Sequence, residues 1–241
     1  MFKLPVGESD LKTFPKVTVP VVPVTQSSLS VEELHSIHRR IGKDIEDRLA
    51  QFGRLGAKGT DDELFTELVF CLLTPQSKAR SCWASVECLI DEDLVLSGGP
   101  LEISRKLSGV RFHNNKSRYI VEARSKLVGP DGIGMRKLLK DRETPIEVRE
   151  WLVANIKGMG YKEASHFLRN IGLGQNLAIL DRHILKNLVS LGVIEEVPSS
   201  MSGKRYLEIE DRMRRFAQRE SISMDHLDLV LWYREAGEIF K

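Results

Sequence analysis

Apolar residues recur at helical spacing along almost the whole chain, and this periodicity constrains the fold more than any other feature of the sequence. After Ser30, apolar residues follow at intervals of three or four positions: Leu34, Ile37, Ile41, Ile45, Leu49 and Phe52. Such spacing gathers apolar side chains on one face of a helix. Ser30 with Glu33 predicts the start of this helix through a capping box, and Gly53 and Gly56 predict its end.

The same pattern predicts helices over most of the remaining chain, at residues 63–73, 78–90, 101–107, 115–126, 134–140, 145–155, 161–171, 181–191, 204–218 and 225–239. We find no convincing alternation of apolar and polar residues, which would indicate a strand, outside the N-terminal arm. Residues 14–28 are rich in Pro, Val and Thr, so we expect that arm to be extended. The sequence therefore predicts an all-α fold.

Composition limits the possible functions without choosing one. The formal net charge of +2 is too small to indicate a nucleic-acid partner by itself. The three cysteines, Cys71, Cys82 and Cys88, lack CxxC spacing, which argues against a disulfide framework or a zinc site. No apolar run reaches the roughly 20 residues of a membrane span, and no signal peptide begins the chain. We expect a cytoplasmic protein and, because no self-complementary helical seam is visible, a monomer.

A tight hairpin is predicted at Gly158-Met159-Gly160, between the helices at 145–155 and 161–171. Two glycines separated by one residue allow a turn too narrow for side chains, which leaves backbone N–H groups exposed at a helix N-terminus. Such a terminus suits a phosphate, and this is how a helix-hairpin-helix unit holds a DNA backbone without reading its sequence. An ordinary interhelical turn is the alternative, because Gly-x-Gly is common.

Two residues whose side chains could take part in catalysis lie at the starts of neighbouring helices. Lys162 lies in the first turn after the hairpin, where a cation is disfavoured, and a neutral amine is the nucleophilic form of lysine. A solvated surface lysine is the alternative. Asp181 begins the following helix, where an aspartate usually serves as N-cap. A carboxylate at that position can also face the space beyond the helix end, so the two side chains can converge on one substrate.

The hairpin, Lys162 and Asp181 together resemble the core of the helix-hairpin-helix DNA glycosylase superfamily. More closely, residues 72–77, 160–170 and 179–183 resemble the archaeal-type 8-oxoguanine DNA glycosylase/lyases, and the likeness runs from about residue 31 to the last residue. In that family the lysine attacks C1′ of the damaged nucleotide and the aspartate stabilises positive charge on the sugar. The resemblance implies these roles for Lys162 and Asp181, followed by a Schiff base and strand cleavage by β-elimination.

The resemblance also implies how the damaged base is held once it has left the duplex. Gln76 would fill the space that the flipped base leaves in the base stack. Alternatively, its side-chain amide would hydrogen-bond to the backbone of its own loop. Lys241 would enter the base pocket and help distinguish 8-oxoguanine from guanine. Trp232 would stack on one face of the base, unless it is simply a core residue, and Phe112 would stack on the other face.

Further expectations follow from the same likeness. The partner is double-stranded DNA containing oxidised guanine, bound in a cleft between two helical subdomains and contacted by Gly158 and Gly160, which would place the protein at the nucleoid. We expect an N-terminal arm at 1–29, one subdomain from 30–85 with 191–241, and a hairpin subdomain at 86–190. No cofactor is expected, since no cysteine follows Cys88 to form the iron–sulfur loop of other branches. A monovalent cation at the hairpin is implied by the family alone.

Two other functions remain open from the sequence. A glycosylase of the same fold could act on another base lesion, since only the pocket around Phe112, Trp232 and Lys241 would differ. A non-catalytic hairpin protein could bind DNA backbone, although it would need neither Lys162 nor Asp181. A run of basic residues could line the phosphate track or be a solvated helix face: Arg105, Lys106, Arg111, Lys116, Arg118 and Arg124.

Overall fold

The computed structural model describes residues 28–129 and 132–241, and within these ranges the chain forms twelve α-helices and one small antiparallel sheet. The predicted all-α fold is confirmed. The predicted N-terminal arm lies outside the described residues, apart from its last two positions. None of the helices in these ranges combines the length and the apolar character that crossing a bilayer requires.

The helices agree closely with the periodicity of the sequence. In chain order they are α1 (Val31–Lys58), α2 (Asp61–Leu73), α3 (Ala79–Asp91), α4 (Leu94–Ser97), α5 (Pro100–Lys106), α6 (His113–Leu127), α7 (Met135–Lys140), α8 (Pro145–Asn155), α9 (Tyr161–Asn170), α10 (Arg182–Ser190), α11 (Gly203–Arg219) and α12 (Met224–Ala236). Between α6 and α7, β1 (Val128–Gly129) pairs with β2 (Gly132–Ile133). The short α4 and the sheet were not predicted.

Helix α1 is longer than predicted, because neither Gly53 nor Gly56 ends it. Both glycines lie inside the helix beside the turn after α9, and Gly56 permits the close approach of that turn. A Cβ on Gly56 would lie 1.9 Å from the carbonyl oxygen of Ile171, and a Cβ on Gly172 would lie 2.7 Å from the Cα of Gly53. These glycines serve helix packing rather than termination.

The buried side chains form two cores. The hairpin core contains buried residues of the segment 64–177, chiefly from α2, α3, α6, α8 and α9. The terminal core joins α1 to α10, α11 and α12, so the beginning and the end of the described chain pack together. Two helical subdomains are therefore present, as expected.

The division between the subdomains differs from the predicted boundaries. Helix α2, expected with the terminal segments, lies in the hairpin core, and α10, expected with the hairpin, lies in the terminal core. Every residue of α2 from Leu64 to Leu73 is buried, so this helix needs neighbours on all sides and is packed by α3, α6, α7 and α9. Helix α10 instead packs against α12.

Candidate active site

A cleft of about 1200 Å³ opens at the junction of the two cores. Side chains of α9 line it on the side of the hairpin core, those of α10 and α12 line it on the side of the terminal core, and the Thr74–Ser77 loop forms part of the lining. Most of the predicted site residues meet there: Gln76, Gly160, Lys162, Asp181, Trp232 and Lys241. Gly158 and Phe112 are not among the lining residues.

The hairpin requires its first glycine. Gly158 has a φ of +86°, and a Cβ at this position would lie 2.4 Å from the ring of Tyr119. Gly160 caps α9, and its N–H donates to the carboxylate of Glu163 over 3.2 Å. An acidic side chain thus occupies one of the amides that we expected to be open to a phosphate.

Lys162 reaches the cleft from the first turn of α9. Its side chain is 21% exposed, and Nζ lies 3.2 Å from Oγ1 of Thr74 and 3.6 Å from Oε1 of Glu163. Thr74 belongs to the break between α2 and α3, so residues distant in sequence hold the amine in place. The amine is therefore oriented in the cleft rather than extended into solvent.

Asp181 is the N-cap of α10, as predicted. Its Oδ1 accepts hydrogen bonds from the backbone N–H groups of His183 and Ile184, both over 2.8 Å. Within the described part of the chain the Lys162 ammonium pairs with Glu163 rather than with Asp181. The two predicted catalytic groups therefore line one cleft without forming an ion pair with each other.

A second, buried carboxylate lies in the same cleft. Asp228 on α12 is 3.7 Å from the guanidinium of Arg169 on α9, and each side chain is 5% exposed. Burial raises the pKa of Asp228 to about 6 against the opposing charge of Arg169, and the negative charge of Asp181 contributes to the increase. Neither residue was selected from the sequence, although both line the cleft from helices that carry predicted site residues.

Lys241 is fixed beneath the cleft instead of being solvated. Its ammonium pairs with the carboxylate of Glu67 and lies 3.6 Å from the centroid of the Trp83 ring. Glu67 also accepts a 2.6 Å hydrogen bond from Asn170. Burial lowers the pKa of Lys241, and the charge of Glu67 opposes this effect. Sequence analysis did not select Glu67, although an acidic residue within the apolar run of α2 could have indicated a buried cationic partner.

Two further cleft residues carry buried polar atoms without hydrogen-bond partners among the described residues. They are His166, one turn after Lys162, in which a hydrogen bond to the backbone of Lys241 leaves one ring nitrogen without a partner, and Trp232, whose Nε1 has none. Burial holds the pKa of the His166 imidazole well below its usual range, so the ring is neutral. Sequence analysis did not select His166, although its (i, i+4) spacing from Lys162 places it on the same face of α9. Unsatisfied polar atoms that line a cavity favour a polar ligand there.

Gln76 and Phe112 share a strained backbone conformation but not a location. Their φ angles are +55° and +58°, in the left-handed region that side chains seldom adopt. Gln76 is exposed and lines the cleft. Phe112 is 52% exposed beside the cleft, with the guanidinium of Arg111 stacked 5.4 Å from its ring centroid. The structure therefore does not bring Phe112 to the pocket that contains Trp232.

Comparisons with known proteins assign the chain to a family. A family model described as 8-oxoguanine DNA glycosylase matches residues 45–222. A Fusobacterium nucleatum protein named 8-oxoguanine DNA glycosylase/AP lyase is 48% identical over 209 residues, covering 87% of this chain and 96% of that protein. The chain belongs to the 8-oxoguanine DNA glycosylase family. The match spans both cores and includes Lys162 and Asp181.

Solved structures of the family have the same fold. The 8-oxoguanine DNA glycosylase of Thermotoga maritima has a TM-score of 0.79 at 37% identity, covering 88% of this chain and 98% of that one. The Methanocaldococcus jannaschii 8-oxoguanine glycosylase/lyase, in complex with a 15mer DNA containing 8-oxoguanine, has a TM-score of 0.79 at 33% identity, covering 88% and 99%. The fold shared with each of these two proteins extends over 88% of this chain.

No cofactor site emerges from the described residues. Among them, no group of His, Cys, Asp and Glu is arranged to hold a metal ion, and Cys71, Cys82 and Cys88 form no disulfide. The monovalent cation implied for the hairpin is not tested by this geometry and stays a prediction.

Proposed function

We propose that this protein is a bifunctional repair enzyme that excises 8-oxoguanine from double-stranded DNA and then cleaves the strand at the resulting site. The observation that carries the proposal is the meeting of a lysine amine and a helix-capping carboxylate in one cleft, in a chain whose relatives are named 8-oxoguanine DNA glycosylase/AP lyase. A non-catalytic hairpin protein, which is the alternative function, would need neither the lysine nor the carboxylate.

Lys162 is the nucleophile in the proposed reaction. Its neutral amine forms a bond to C1′ while the glycosidic bond breaks, and the departing base takes the bonding electron pair and then a proton. Asp181 stabilises the positive charge that develops on the sugar, because its carboxylate faces the same cleft. Opening of the sugar ring gives a Schiff base, and removal of a C2′ proton then expels the 3′ phosphate.

The base pocket would lie deeper in the cleft, between α9 and α12. Trp232 provides an aromatic surface for stacking. The neutral imidazole of His166, which lines the cleft whereas Phe112 does not, offers one donor and one acceptor. Lys241, held by Glu67 and Trp83, would help distinguish 8-oxoguanine from guanine at the base of this pocket.

The remaining sequence-based assignments describe how DNA would be held. Gln76 would occupy the stack from which the base has left, and the hairpin at Gly158 and Gly160 would contact a phosphate, with a monovalent cation as a further bridge. We also propose that the protein acts as a monomer on chromosomal DNA. Analytical ultracentrifugation with and without a lesion-containing duplex tests the monomer.

Borohydride trapping tests the chemistry. We expect wild type to form a covalent adduct with a duplex containing one 8-oxoguanine, and Lys162→Gln to form none, because glutamine has no nucleophilic amine. Lys126→Gln is the matched control, since Lys126 is exposed on α6, away from the hairpin, and is not a cleft residue.

Each outcome has a distinct meaning. Loss of the adduct in Lys162→Gln alone supports the assignment. An adduct that persists in Lys162→Gln shows that another amine is the nucleophile. If wild type binds the duplex but forms no adduct and releases no base, the proposed activity on 8-oxoguanine is wrong.

A further inference from the structure

Lys116 is a buried cation outside the predicted catalytic pair. It lies on α6 in the basic run that we considered for the phosphate track, but it is 4% exposed and does not line the cleft. Lys116 therefore fits neither of the two roles considered for the basic run, a DNA contact or a place on a solvated helix face. Arg124 from the same run likewise donates to the backbone, to the carbonyls of Val95 and Gly98.

The three N–H donors of the Lys116 ammonium meet three acceptors, all in or next to one short loop. Nζ lies 2.8 Å from the carbonyl oxygen of Leu73, 2.7 Å from that of Pro75 and 3.1 Å from Oγ of Ser77. These groups bracket the break between α2 and α3. A cation at the C-terminal end of α2 also complements the partial negative charge of the helix.

This loop contains a residue in a strained backbone conformation. Gln76, between Pro75 and Ser77, has a φ of +55°, which a residue other than glycine keeps only where its surroundings impose it. Two of the three acceptors of Lys116 flank Gln76 directly. Ser77 is held from a second side, because its Oγ also accepts from the backbone N–H of Arg111 over 3.0 Å.

We propose that Lys116 is a positioning residue, whose ammonium holds the loop in the conformation that presents Gln76 to the space vacated by the flipped base. The inference rests on the proposed function, because it gives Gln76 a task only if a base leaves the duplex. Lys116 itself contacts neither DNA nor the reacting atoms. Its effect on base excision passes through Gln76.

The test is a double-mutant cycle on single-turnover excision of 8-oxoguanine from a duplex. We compare wild type, Lys116→Met, Gln76→Ala and the double variant, with Lys126→Met as a control because Lys126 is exposed on the same helix. We expect Lys116→Met to slow excision by about 100-fold, the scale of a misplaced catalytic group. The double variant should be no slower than Lys116→Met, since coupled residues give non-additive effects.

A second substrate separates positioning from general damage to the fold. A duplex in which the lesion faces an abasic position needs less energy for base flipping. The deficit of Lys116→Met should shrink on this duplex if the residue acts through Gln76. If Lys116→Met does not fold, Ser77→Ala removes one of the three acceptors on an accessible loop and should give a smaller deficit that is also non-additive with Gln76→Ala.

Several results would overturn the proposal. These are excision by Lys116→Met at the wild-type rate, no effect of Gln76→Ala, deficits that multiply in the double variant, and an equal deficit of Lys116→Met on both substrates. If wild type itself fails to excise 8-oxoguanine, the proposed function and this inference fail together. If wild type excises normally and only the cycle fails, the proposed function stands without the role of Lys116.

Discussion

At the scale of single residues, the cleft gathers buried polar side chains that a purely structural core would avoid. His166, Arg169 and Asp228 are each at most 5% exposed, and the described residues do not satisfy all the polar atoms of His166 and Arg169. Burial of such groups destabilises a fold unless they are paired. The burial of these groups is explained if a bound nucleotide supplies the hydrogen-bond partners that the described residues lack.

The burial of Asp228 makes the stability of the fold depend on pH. In the folded protein it keeps its proton up to about pH 6, whereas its ordinary pKa is 3.8. The folded state therefore binds more protons than the unfolded state between these values, and stability falls as the pH rises through this window. Relative to Asp228→Asn, wild type should lose up to about 3 kcal/mol of unfolding free energy between about pH 4 and pH 7.

Urea denaturation across this pH range measures the effect. Asp211→Asn, which removes an exposed carboxylate on α11, controls for the change in net charge. A stability difference between wild type and Asp228→Asn that does not vary with pH would show that Asp228 does not take up its proton in this range.

Sequence reasoning located residues whose position is tied to a local pattern. The positions of Lys162 and Asp181 at helix starts follow from the hairpin and from capping preferences. The environments of Lys116, Lys241 and His166 do not, because burial and ion pairing depend on contacts between distant segments. Lys241 and Glu67, for example, are 174 positions apart.

At the scale of elements, α1 shows how a local rule can be overridden by packing. A glycine usually weakens a helix by about 0.5–1 kcal/mol relative to alanine, and for this reason we predicted that α1 ends at Gly53 or Gly56. Both instead lie where the turn after α9 approaches the helix backbone. The periodicity of the sequence located the helices, but it contains no information about how close two elements come.

Two glycines on α1 give a matched prediction. Gly56→Ala should destabilise the fold by about 1–3 kcal/mol or more, because its Cβ would lie 1.9 Å from the carbonyl oxygen of Ile171. Gly42→Ala should stabilise the fold by about 0.5–1 kcal/mol, because nothing lies within 4 Å of its added Cβ. Thermal and chemical denaturation measure both, and equal effects of the two changes would contradict the packing argument.

At the scale of the whole molecule, a buried ion pair joins the two cores. Arg149 on α8 donates to both carboxylate oxygens of Glu210 on α11, over 2.6 and 3.0 Å, and is 1% exposed. Glu210 also accepts from the backbone N–H of Ala178 over 2.8 Å, close to the segment that leads to Asp181. The pair therefore fixes the orientation of one cleft wall relative to the other.

Breaking this pair should be costly. Arg149→Met leaves the Glu210 carboxylate buried without its main partner, and we expect a loss of about 3–5 kcal/mol of unfolding free energy. The double variant Arg149→Met/Glu210→Met should recover part of the loss, because no unpaired charge remains. Lys43→Met, which breaks an exposed pair with Asp47, should change stability too little to measure. A small effect of Arg149→Met in urea denaturation would show that the pair does not link the cores energetically.

The organisation of the two cores also implies that they fold one after the other. The hairpin core is built from one continuous stretch, so it can condense while synthesis is still under way. The terminal core must wait until α10, α11 and α12 have been made and can join α1. A growing polypeptide therefore carries Lys162 well before Trp232 and Asp228 exist beside it. The cleft is therefore complete only when α12 has joined α1, at the last stage of assembly.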